Sequence, residues 1–147
     1  MPNWCENHLT ITGGEQDIQR FHEVAKGQPD SDLSLAKLYP LPADIYQGDL
    51  GPEQWEKYRT NTWYRWCIER WGTKWDVKAT LLAATPDLLE YAFASAWSPP
   101  VKWLEKVAAD FPGLRFVLHY DEPMMGFAGV AIAEQGRLIV DECTAYA

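Results

Sequence analysis

Residues 75–111 read WDVKATLLAATPDLLEYAFASAWSPPVKWLEKVAADF, and their periodicities decide the fold. Trp75, Val77, Ala79 and Leu81 alternate with Asp76, Lys78 and Thr80, the period of a half-buried strand. Thr85-Pro86-Asp87 supplies a turn. A second strand over 88–97 carries Leu89, Tyr91, Phe93 and Trp97 on one face and Ala92, Ala94 and Ala96 on the other. Ser98-Pro99-Pro100 then reads as a helix start, a serine cap with proline in the first turn. Val101, Leu104, Ala108 and Phe111 form that helix's apolar stripe, and Pro112-Gly113 ends it.

Upstream, residues 7–12 alternate with Leu9 and Ile11 on one face and His8, Thr10 and Thr12 on the other, a strand stopped by Gly13-Gly14. Ile18, Phe21 and Val24/Ala25 recur at helical spacing before Gly27. Downstream come strands over 114–120, 127–133 and 137–143, the last two joined by Glu134-Gln135-Gly136. The order β-α-(α)-β-β-α-β-β-β is an α+β pattern. It contains the split βαβ of a ferredoxin-like sandwich: one antiparallel sheet, an inserted helix and an extra C-terminal hairpin. A single domain over 1–147 accommodates all of it.

The insertion spans residues 28–71. Its first part, 28–52, is rich in Pro, Asp and Gly with isolated apolar residues (Leu33, Leu35, Leu38, Tyr39) and reads as an ordered loop packed on the domain. One helix is expected from Pro52 to about Trp71, with Gly72 as its stop. This helix begins the densest aromatic tract: residues 63–76, WYRWCIERWGTKWD, hold four of the chain's eight tryptophans. Tryptophan buries a large apolar area and brings one N–H that needs a partner, so it gathers in cores and interfaces. Trp66, Trp71, Trp75 and Trp97 are expected to build one interior cluster, with Asp76 and Glu69 accepting hydrogen bonds from indoles or from Lys74. Trp55, Trp63 and Trp103 fall off the main stripes and are the candidate protein-binding anchors.

Composition narrows the function. With 47% hydrophobic and 23% charged residues the chain is ordinary for a globular protein. No apolar run approaches the ~20 residues of a membrane span, and the start Met-Pro-Asn-Trp-Cys-Glu lacks a secretory pattern. Three cysteines without a CxxC spacing read as reduced thiols in a cytoplasm. A net charge of −8 opposes nucleic-acid binding, which depends on counterion release by Lys and Arg. Sequence analogy offers one nucleic-acid alternative: RNA-recognition domains share this topology and stack bases on sheet aromatics, here Tyr91 and Phe93. Both are expected instead in the core, because the first strand offers no aromatic platform.

No catalytic, metal or cofactor site is expected. Cys5 and His8, three apart along a strand, point to opposite faces, and neither Cys67 nor Cys143 belongs to a second closely spaced pair of the kind structural zinc sites show. His22 lies on the polar side of its helix and His119 points away from the Leu114/Phe116/Leu118/Tyr120 face. Glu69, Asp76, Asp121 and Glu122 lie near aromatics, where desolvation raises a carboxyl pKa, but no spacing pairs them for acid–base work. Gly13-Gly14 lacks the rest of a phosphate loop.

Four strings resemble the YubB-type ferredoxin-like domain family of plasmid and phage proteins: residues 2–7 (PNWCEN), 66–76 (WCIERWGTKWD), 96–100 (AWSPP) and 126–129 (GFAG). The resemblance implies the ferredoxin-like fold and a mobile-element origin, and it carries no catalytic residues. Three scattered cysteines exclude a four-cysteine iron–sulfur cluster. The expectation is a non-enzymatic, acidic binder of a host or element-encoded protein, acting in the cytoplasm, with no metal and no cofactor; the mobile-element setting adds countering host defence as a role for it.

Overall fold

Strand β1 (Trp4–Thr12) is the spine of the computed structural model, which describes residues 2–27 and 29–146. Its alternation buries Cys5, Asn7, Leu9 and Ile11 and turns Trp4, Glu6, His8 and Thr10 outward. Helix α1 (Glu15–Ala25) follows, then three short helices in the insertion: α2 (Leu35–Leu38), α3 (Pro52–Tyr58) and α4 (Trp63–Arg70). The rest is β2 (Ala79–Thr85), β3 (Leu88–Ala96), α5 (Val101–Asp110), β4 (Arg115–Glu122), β5 (Phe127–Glu134) and β6 (Arg137–Ala145). The six strands form one sheet in the order β2-β3-β1-β4-β5-β6, every neighbour antiparallel. The first four strands have the ferredoxin-like arrangement, and β5-β6 is a hairpin added beyond β4.

One side of the sheet is covered. Phe21 of α1 packs edge-on against Tyr91, Phe111 and Phe116 at 6.3, 5.2 and 5.8 Å between ring centres. Leu104, Val107 and Ala108 of α5 join the same core. Tyr91 and Phe93 are therefore core residues, as their alternation with Ala92 and Ala94 implies. On β5, Gly129 lies beneath the Tyr120 ring; a Cβ there would sit 2.4 Å from the Tyr120 hydroxyl, so only glycine fits. Among the described residues the opposite face of the sheet carries no helix.

The structure corrects three local expectations. Residues 52–71 are two helices, not one: Arg59 adopts φ 54, and Thr62, fully buried, restarts the chain by accepting a hydrogen bond from the Arg65 N–H. The break lets Tyr58 stack on Tyr46 at 4.1 Å and lets the Trp63 amide donate to the Tyr46 carbonyl at 2.8 Å. Second, the strand expected from Trp75 begins at Ala79, because residues 76–79 are engaged by the insertion. The Asp76 carboxylate accepts from the Leu35 and Ala36 amides (2.6 and 3.2 Å), the Ser34 hydroxyl and its own neighbour's amide at Val77. Ser31, Asp32 and Leu81 extend the contact: Ala79 N–H donates to Ser31 Oγ, Asp32 N–H to the Ala79 carbonyl, and Leu81 N–H to Asp32 Oδ2. This segment caps the outer edge of β2, where bare strand edges invite wrong pairing.

Third, Ser98 does not cap α5. Pro100 occupies the cap position, while the Ser98 hydroxyl donates to the Gly72 carbonyl. Gly72 does end α4, at φ 90, with Pro99 and Val101 packed where a side chain would stand. Trp97 takes φ 70, which swings it off the β3 face it was expected to share with Tyr91.

Candidate binding surface

The tryptophans separate into buried and exposed sets, and the division differs from the expected one. Trp71 is 2% exposed and donates its indole N–H to the Tyr39 carbonyl at 2.9 Å, with Trp66 edge-on against it at 5.7 Å. Trp75 and Trp97, expected in the same interior cluster, are 39% and 44% exposed. The cause is local: Asp76 is held by the start of α2, which leaves Trp75 outside β2, and the left-handed turn at Trp97 ejects its ring. Asp76 serves the backbone of the insertion, not an indole, and Glu69 lies by Arg65 on the surface.

Trp103 is also displaced from its expected role. It is 1% exposed, and its indole N–H donates to the Leu35 carbonyl at 3.1 Å, so it cannot anchor a partner. Its position beside Leu104 and Val107 widens the α5 stripe toward the insertion. Trp63 is half-buried and donates to the Gly48 carbonyl at 2.9 Å. Trp55 stands 43% exposed on α3, edge-on to Tyr64 at 5.9 Å.

The residue that sequence reasoning passed over is Trp4. It extends the outward set of β1 by one more step, so the alternation through Glu6 and His8 was the signal available. Its ring is 41% exposed and lies 6.2 Å from that of Trp75 at an interplanar angle of 37°. The two rings, with Glu6, Asp76, Val77, Lys78 and Ala94, line a cleft of about 500 Å³ at one end of the helix-free sheet face. A second cleft adjoins it, between Trp97, Tyr64 and Lys74, and the Lys74 ammonium sits 4.2 Å from the Trp75 ring centre.

Farther along the open face His8 pairs in register with His119, and His8 Nε2 is 3.7 Å from Glu90 Oε2. Asp121 accepts from the Tyr146 hydroxyl at 2.7 Å. Glu122 points the other way, fully buried, accepting from the Met124 and Met125 amides. The four carboxylates considered for acid–base work thus occupy separate surroundings. Burial pushes the Cys5 and Cys67 thiols up to about 12, with Glu122 adding to the effect at Cys5 and Asp76 at Cys67. Neither thiol can act as a thiolate nucleophile near neutral pH. Cys5 and His8 do face opposite sides of the sheet.

No helix among the described residues is long and apolar enough to cross a membrane. No curated protein matches the chain. The crystal structure of a protein api92 from Yersinia pseudotuberculosis is similar across 100% of this chain and 99% of that one, with a TM-score of 0.58 and 12% identity. At that identity the likeness speaks for the fold alone. Residues 70–146 match the family model described as "Ferredoxin-like domain in Api92-like protein". They carry β2 to β6 with α5, while β1, from the unmatched half, fills the place between β3 and β4. This match overturns the resemblance to the YubB-type family: the WGTKWD and AWSPP strings, which lie between α4 and β2 and between β3 and α5, fall within the residues that the Api92-like model matches. The mobile-element setting entered only through that resemblance and carries no further argument. Because the matched segment is more than half of its length, the chain belongs to the family of ferredoxin-like domains of Api92-like proteins.

Proposed function

We propose that this chain is a non-enzymatic protein-binding module of the cytoplasm, and that it binds through the helix-free sheet face with Trp4 and Trp75 as anchors. One observation carries the reading: two large indoles, each about two-fifths exposed, converge on one cleft from rigid supports. Trp4 is fixed by its ladder partner Ala96, and Trp75 by the hydrogen bonds of the adjacent Asp76. Side chains of this kind, pre-ordered and partly desolvated, are favoured hot spots for protein partners. The free thiols Cys5, Cys67 and Cys143 support a reducing compartment. Binding of single strands through Tyr91 and Phe93 has no support, since both rings are inside the core.

Affinity capture from cell extract tests the reading. A specific partner should be retained by the native chain and by Trp55→Ala, and lost with Trp4→Ala or Trp75→Ala while the melting temperature holds. Undiminished capture by the Trp4 and Trp75 variants would refute it.

A further inference from the structure

We infer that the Trp4–Trp75 cleft receives a lysine or arginine side chain from an extended basic segment of the protein partner, with Glu6 as its counter-ion. This rests on the binding-module reading above and adds the chemistry of the contact.

Three independent features point to a cation. The first is the aromatic composition: two indoles 6.2 Å apart and tilted by 37° line the cleft, and the π-face of an indole carries negative quadrupole density. Trp75 already has an ammonium by its ring, that of Lys74 at 4.2 Å from the ring centre, and Lys74 lines the adjoining cleft.

The second feature is Glu6. Its side chain is exposed at the cleft, and among the described residues no Lys, Arg or His nitrogen lies within 4.0 Å of it. Two other charges line the cleft: Asp76, which accepts the amides of α2, and Lys78, whose ammonium lies on the surface 3.3 Å from Asp30. An apolar side chain entering the cleft would desolvate Glu6 without compensation. A cation would pair with it.

The third is the field of the whole face. Glu6, Glu90, Asp121 and Glu142 point outward from β1, β3, β4 and β6, while the arginines of that face, Arg115 and Arg137, lie at its far end beside Glu134. With a net charge of −8 this surface draws cations and repels phosphates. A nucleobase stacked on Trp4 or Trp75 would bring its phosphate against these carboxylates.

The test is a titration of the full chain, followed by the indole N–H signals in ¹⁵N-resolved NMR. The probes are an octapeptide of alternating glycine and arginine, the same peptide with neutral citrulline for arginine, and an oligothymidine. Trp4→Phe and Trp75→Phe assign the two signals, and unmoved Trp71 and Trp103 signals certify the fold of each variant. The arginine peptide should shift the Trp4 and Trp75 signals saturably. Citrulline should weaken binding by about tenfold, Glu6→Gln by about three- to tenfold, and added salt progressively. Equal affinity for the citrulline peptide, an unchanged affinity in Glu6→Gln, or a preference for oligothymidine would each overturn the inference. Partner capture that needs Trp4 and Trp75 but ignores Glu6→Gln would remove the cation and leave the binding module standing. Capture indifferent to both tryptophans removes the module itself.

Discussion

The indole N–H of Trp103 donates to the carbonyl oxygen of Leu35, 3.1 Å away and 68 positions earlier in the chain. The bond joins α5 to the first turn of α2, and the backbone N–H of the same Trp103 donates to the Trp71 carbonyl at 3.1 Å. A residue of the insertion thereby becomes part of the core around which α5 packs. Replacing Trp103 with Ala leaves a cavity, while the Leu35 carbonyl keeps the Tyr39 N–H at 2.9 Å, so the change should cost about 3–5 kcal/mol. Trp103→Phe keeps most of the packing and isolates the hydrogen bond, at about 0.5–1.5 kcal/mol, since the Leu35 carbonyl keeps its second donor. Urea denaturation of the two variants measures both.

Trp71 and Trp75, four residues apart, should respond oppositely to truncation. Trp71 is 2% exposed and loses its contacts with Trp66 and Tyr39 when cut back, so Trp71→Ala should lower the melting temperature by on the order of 10 °C. Trp75→Ala removes only an exposed pairing with Trp4 and the Lys74 contact, worth about 1 kcal/mol or less. Thermal melts side by side decide it. Similar losses for both would place Trp75 in the core after all.

How far the sequence could be read depended on range. The strands of 7–12, 88–97 and 114–120 were legible because their period of two reflects one buried face, a property of each segment alone. The fate of the tryptophans was not, because it is set by partners far away. Trp75 sits outside because Asp76 is held 40 residues away by Ala36, Trp103 inside because Leu35 offers it a carbonyl. The continuous apolar pattern of residues 55–66 looked like one helix since periodicity cannot register a single left-handed residue such as Arg59. Trp4 was hard to place because the buried position between Cys5 and Leu9 is the polar Asn7, which interrupts the apolar alternation on which a strand is recognised.

Asp76 should matter through the insertion alone. Its carboxylate accepts the Leu35 and Ala36 amides, orphan donors at the start of α2, so Asp76→Ala should cost about 1–2 kcal/mol. Asp76→Asn keeps an acceptor and should recover part of this. The readout is amide hydrogen exchange. Protection should fall at Leu35 and Ala36, and hold at Leu9 and Leu118 in the central strands. Uniform loss across both regions would mean that the cap supports the whole fold.

The thiols supply a prediction with a defined pH window. Cys5 and Cys67 are raised from an ordinary 9.0 to about 12, chiefly because burial penalises the thiolate, whereas Cys143 lies exposed on β6. At pH 8 a disulfide reagent should titrate one thiol per native chain, none in Cys143→Ser, and three in denaturant. The thiolate fraction of the buried pair is lowered by about a thousandfold before access is even considered. The sign of the linkage follows from the same shift. The unfolded chain releases these protons near pH 9 and the folded chain only near 12, so rising pH favours unfolding. The contribution of the neutral thiols is complete below pH 9 and is lost progressively between 9 and 12. Urea midpoints measured across this range should fall less steeply in Cys5→Ala and Cys67→Ala than in the native chain. An identical alkaline slope in all three would show that other groups carry the transition.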